Sequence, residues 1–143
     1  MGAGACTFLG HRDSPGSLRG ALREAIRTLI VQQGVACFYV GDHGAFDSMV
    51  YAVLKELQQE FPHICIAVVL AYLPRKAEKD KETMLPEGIE AVPPRYAILW
   101  RNRWMIRRSS FVITYVTRGW GGAADAARRA ERQGKTLIRL GSL

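Results

Sequence analysis

The feature that most constrains this chain is an alternation: a short apolar run, then a stretch whose apolar residues return every three or four positions. Residues 5–9 form the first run. After it Leu18, Ala21, Leu22, Ala25, Ile26, Leu29 and Ile30 trace one face of a helix, with Arg19, Arg23 and Glu24 on its other side and Gly34 as its stop. Residues 36–40 read as a second strand. Phe46, Met49, Val50, Val53, Leu54 and Leu57 then mark a second helix, ended before Phe61-Pro62. Residues 64–71 are continuously apolar, as expected of a strand covered on both faces. Strands alternating with helices require right-handed crossovers, so the expected class is α/β, three layers deep, with a mostly parallel central sheet flanked by helices.

The alternation lapses over residues 74–86, where Arg75, Lys76, Glu78, Lys79, Asp80, Lys81 and Glu82 leave no core face. A surface loop is the reading there, with a short solvated helix as its alternative. Residues 88–91 read as a minor fourth strand. Pro93-Pro94 opens a helix to about Arg108 that carries Trp100 and Trp104 four residues apart, and core packing is expected for Trp104. Residues 111–116 give a fifth strand, Ala123, Ala126, Ala127 and Ala130 a closely packing helix, and residues 136–140 the last strand. With 143 residues and no internal repeat, one domain over 1–143 is expected.

A 48% apolar and 23% charged composition is that of a soluble globular protein. The longest apolar run, residues 64–73, is far too short to cross a bilayer, and no secretory signal is visible, so a cytoplasmic protein is expected. Cys6, Cys37 and Cys65 fall in three different strands without a Cys-x-x-Cys. That pattern excludes a disulfide framework or zinc site and predicts buried, reduced thiols; no metal is expected. The formal charge of +7 admits an acidic partner, although the arginines are distributed over several helices.

Function is read from the turns. Gly119-Trp120-Gly121-Gly122-Ala123-Ala124-Asp125 follows a strand and opens a helix, leaving the first helical N–H groups free to meet an anion. Glycines there let backbone approach a phosphate without a Cβ in the way. Gly41-Asp42-His43-Gly44 and Gly10-His11-Arg12 follow two other strands. Ligands in such folds bind beyond the carboxyl ends of the strands, which predicts one shared cleft. Arg12 would grip phosphate, and His11 would cap a carbonyl or touch a base. Asp47 has a structural reading, a helix-dipole partner, and a functional one, an acceptor for a ribose hydroxyl or a group that orients a neighbouring loop. The pattern G-x-G-x-x-G is not met, so an ordinary NAD site is not expected. Arginines interleaved with tryptophan around Arg101-Asn102-Arg103-Trp104 would also suit single-stranded nucleic acid, through charge and stacking.

At these residues the chain resembles the SLOG superfamily, the Rossmann-like group that unites the DNA-processing DprA/Smf proteins with the LOG cytokinin-activating enzymes, and within it the small YpsA-like proteins. The matching marks are Cys6-Thr7-Phe8-Leu9-Gly10-His11-Arg12, residues 41–47, Ala71-Tyr72, Arg101-Asn102 with Met105 and Ser109, and Gly121-Gly122. The resemblance implies a nucleotide pocket lined by Gly10, Arg12, Gly41, Gly44, Asp47, Arg101, Asn102, Gly121 and Gly122; the turns themselves add His11 and Gly119 as candidates. Its ligand would be nucleotide-derived, such as AMP, ADP-ribose or an NAD-like molecule. LOG enzymes carry Pro-Gly-Gly-x-Gly-Thr and then a catalytic Glu, whereas Gly121-Gly122 here precedes Ala123-Ala124-Asp125. The leading expectation is therefore binding or sensing of a nucleotide-like small molecule. Its alternatives are a phosphoribohydrolase using Asp125 or Asp47, with Arg101 on the phosphate, and DprA-like binding of single-stranded nucleic acid. A homodimer is expected by family analogy.

Overall fold

The computed structural model describes residues 4–72 and 82–141. Its strands are β1 (Ala5–Gly10), β2 (Cys37–Val40), β3 (Cys65–Val69), β4 (Thr83–Met84), β5 (Ser109–Tyr115) and β6 (Thr136–Arg139). The helices are α1 (Arg19–Gln33), α2 (Gly44–Glu60), α3 (Ala97–Arg107) and α4 (Gly122–Arg132). One sheet runs β4-β3-β2-β1-β5-β6, and every neighbouring pair is parallel. The expected α/β class and covered parallel sheet are present.

Alternation along each strand sorts side chains between the two faces. Phe8, Phe38, Ile66, Val68 and Ile113 meet Leu22, Ile26, Val50, Val53 and Leu54 of α1 and α2 in the larger core. On the other face Leu9, Val112 and Ile106 pack with Ala124, Ala126, Ala127 and Ala130. The small alanine side chains are what let α4 lie close to β1 and β6. Trp104 is buried against Met105 and Val69, and its ring meets Tyr39 edge-on at 5.5 Å, so it belongs to the core as expected.

Three sequence expectations need correction. Residues 88–91 are not a strand. Gly88 has φ 90°, and Ile89–Ala91 closes into a 3-10 turn through Ala91 N–H to the Gly88 carbonyl at 3.1 Å. Only Ile89 is buried, so the segment lacks the two-residue period of a strand. The fourth strand lies earlier, at Thr83–Met84, where Leu70 N–H donates to the Met84 carbonyl at 2.8 Å. The charged stretch otherwise falls mostly on residues 73–81, outside the described residues. Pro94–Tyr96 forms a separate 3-10 turn, and α3 begins only at Ala97.

The cysteines also differ from one another. Cys6 is buried, Cys37 half-buried and Cys65 exposed. Cys37 and Cys65 are register partners on the face that carries Tyr39, which α3 covers only in part. Uniform burial of the thiols does not hold there, because a continuous apolar run does not reveal how far a helix extends across it.

Candidate functional site

Strand order reverses between β1 and β5: the chain winds outward from β1 to β4, then crosses back through α3 to β5. The loops after these two strands diverge at their carboxyl ends and leave a crevice, as parallel sheets do at such a point. A cavity of about 320 Å³ lies there. Gly10, His11 and Arg12 reach it from β1, and His43 and Asp47 from the start of α2. Arg101 and Asn102 reach it from α3, and Arg118, Gly121 and Gly122 from the β5–α4 loop. Each of the three glycine turns thus contributes at least one residue to this cavity, although Gly41, Gly44 and Gly119 do not line it.

Their roles within it differ. Arg12 is exposed, and its carbonyl accepts the Ala45 N–H at 2.8 Å, which locks the β1 loop onto the start of α2. His11 is buried, and its Nε2 accepts the Thr117 N–H at 3.0 Å, so the imidazole fastens the two walls of the crevice to each other. Burial lowers its pKa, Arg118 lowers it further and Asp13 opposes them, which keeps the ring neutral and able to accept that bond. This histidine holds the loops; it caps an amide rather than a carbonyl.

Arg101, expected to hold phosphate, is only 2% exposed. Its Nη1 donates to Asp42 Oδ1 at 3.1 Å and to the Val69 carbonyl at 3.0 Å, and its Nε donates to Asn102 Oδ1 at 3.1 Å. The guanidinium therefore ties α3 to β3 and to the β2–α2 turn. Asp47 takes up the adjoining position. The His43 N–H donates to its Oδ2 at 3.0 Å, in the first turn of α2. Desolvation raises its pKa, against the backbone bond from His43 and the charge of Arg101. A Cβ on Gly41 would lie 2.6 Å from Asp47 Oδ2 and 2.8 Å from Arg101 Nη1. Gly41 is thus required by this packing and sits behind the cavity wall. Gly44, at φ 88°, lies against Arg12 instead of the opening.

The far wall is the start of α4. Gly121 has φ 97°, a conformation that favours glycine, and no side chain caps the helix. Its first turn presents Gly122 and Ala123 to the cavity. Gly119 is displaced: its carbonyl accepts a bond from Arg128 Nη1 at 3.1 Å, and it does not line the cavity. Asp125 is also elsewhere. It pairs with Arg128 one turn along α4 and lines a separate groove between α3 and α4, because its place around the helix, four residues past the cap, turns it toward α3 and not toward the crevice. Asp47 is the one carboxylate in the cavity lining among the described residues.

Sequence reasoning gave no role to Arg118. Its Nε is buried with no hydrogen-bond partner among the described residues, and Nη1 lies 3.7 Å from Asp13 Oδ1. Its guanidinium carbon sits 4.5 Å from the ring centre of Trp120, which is 68% exposed. An arginine two or three residues beyond a strand's end, just before a glycine turn, was the available signal.

No protein-family model and no curated protein sequence matches this chain. Solved structures do. DNA processing protein A (DprA) from Streptococcus pneumoniae matches with a TM-score of 0.69 over 96% of this chain, at 15% identity. The fold is DprA-like. The Helicobacter pylori DprA, from a structure describing its single-stranded DNA binding mode, matches with a TM-score of 0.59 over 94% of this chain, at 17% identity. The chain spans 50% of the first DprA structure and 64% of the second. The DprA-like fold agrees with the Rossmann-like architecture that the sequence resemblance implied. No helix among the described residues is long and apolar enough to cross a membrane.

Proposed function

We propose that this chain binds single-stranded nucleic acid, seating a nucleotide phosphate in the crevice between β1 and β5. The observation that carries the reading is the rim of that crevice: the broad, exposed face of Trp120 next to Arg118, whose buried Nε still lacks an acceptor. An indole offers a stacking surface to any base, while Arg12, Arg118 and the uncapped start of α4 offer charge and N–H donors to phosphate. Tyr96, 49% exposed with Arg95 4.9 Å from its ring centre, repeats the aromatic–arginine pairing in the 3-10 turn before α3. The DprA-like fold supports the same reading, since the H. pylori relative is described as binding single-stranded DNA.

Fluorescence anisotropy with a labelled oligothymidylate tests it. Trp120→Ala is expected to weaken binding by about 5- to 160-fold, the worth of about 1–3 kcal/mol for one stacked base. The exposed position keeps the circular dichroism spectrum unchanged. Absence of strand binding by the wild-type chain at low salt would overturn the proposal.

A second reading, a free nucleotide as ligand, is favoured by the size of the cavity. About 320 Å³ lies at the low end for small-molecule sites and suits a mononucleotide such as AMP better than ADP-ribose or NAD. Calorimetric titration with AMP separates the two: tight AMP binding without strand binding selects the free nucleotide.

A further inference from the structure

We propose that the groove between α3 and α4 is a second phosphate-binding site, and that it carries a single strand onward from the crevice. This rests on the nucleic-acid reading of the crevice and extends it to a surface of about 360 Å³ that no part of that reading uses. Arg103 enters the groove from α3, while Arg128, Arg129 and Arg132 enter from α4. Leu99 and Ile106 supply an apolar floor. Arg128 is occupied by Asp125 and the Gly119 carbonyl. Arg103, Arg129 and Arg132 have no carboxylate partner among the described residues. The helix dipole accounts for Arg129 and Arg132 in the last turn of α4, but not for Arg103 across from them.

Two observations select a nucleic-acid strand as the occupant. Asn102 lines both the crevice and the groove, so the two are neighbours across one side chain. Charge is the second. Residues 95–139 contain eleven of the twenty basic residues and two of the thirteen acidic ones, a formal +9, whereas the rest of the chain is −2. Ten of the fifteen arginines thus lie between the turn before α3 and the end of β6, while Arg19, Arg23 and Arg27 belong to α1. Cations along a groove that leads from a nucleotide seat suit successive phosphates of one strand.

The test compares oligothymidylates of about 3 and about 12 nucleotides, bracketing the site sizes usual for single-strand binders. Arg103→Gln combined with Arg132→Gln is the groove variant, and Arg118→Ala is the crevice variant. Expected for the groove variant is unchanged affinity for the short strand and at least tenfold weaker binding of the long one. The slope of log affinity against log salt should fall by about 0.7 for each phosphate that the variant no longer neutralises. The proposal is overturned by long-strand affinity and salt slope equal to wild type, or by equal losses at both lengths. Displacement of the long strand by polyglutamate as readily as by unlabelled strand also overturns it, since the groove then takes acidic peptide. The crevice reading fails separately, if Arg118→Ala leaves both lengths unaffected.

Discussion

At the scale of single residues, the crevice is held together by groups that are not themselves free to bind. His11 is the clearest. Its folded pKa is lowered, so the unfolded chain takes up a proton at this position before the folded chain does. The stability it contributes is complete above the unfolded value near 6.5 and is lost as pH falls below that, down to its folded pKa. Thermal unfolding followed between pH 7.5 and 5 should show a melting temperature that declines with acidity. In His11→Gln, whose amide oxygen can still accept the Thr117 N–H, the decline should be shallower. A parallel decline in both proteins would remove His11 from this role. Gly10 is constrained differently: a Cβ there would lie 2.4 Å from the Phe46 ring. Gly10→Ala should cost about 1–3 kcal/mol, the usual range for overpacking, in urea denaturation. Adding Phe46→Leu should recover part of that loss; if it does not, the ring is not the obstacle.

At the scale of elements, the apolar periodicity was enough to read α1, α2, the helical part of α3, and the central strands. It succeeded where burial is complete, because there the pattern of side chains and the pattern of packing are the same thing. It failed at β4, which is two residues long and exists through hydrogen bonds to β3, not through any pattern of its own. The candidate site was legible in part for a similar reason. Glycines at strand ends reveal where a cleft opens, whereas the partners of Arg101, the unpartnered Nε of Arg118 and the displacement of Asp125 depend on which way side chains turn. The incomplete cover over β2 and β3 has a chemical consequence. Iodoacetamide applied to the folded protein should modify exposed Cys65 first. Cys37 should follow more slowly, since burial raises its pKa, and Cys6 only on unfolding, since complete burial raises its pKa further. Peptide mass spectrometry over time reads the order, and early labelling of Cys6 would contradict the packing.

For the whole molecule, the arrangement divides labour between its two faces. The α1–α2 face encloses the larger apolar core, and the opposite face carries the arginines of α3 and α4. A steep salt dependence of strand binding is the expected signature of such polarity. Another consequence follows from His11 and Thr117, joined by a hydrogen bond although 106 residues apart in sequence. The central strand must wait for a neighbour made from the far end of the polypeptide, and closing so long a loop is slow. The crevice is therefore expected to close late in folding, which pulsed hydrogen exchange at the Thr117 amide would read. A strand that bridges Arg12 and Arg118 would act as a clasp on that late-formed seam, slowing its reopening for as long as it stays bound.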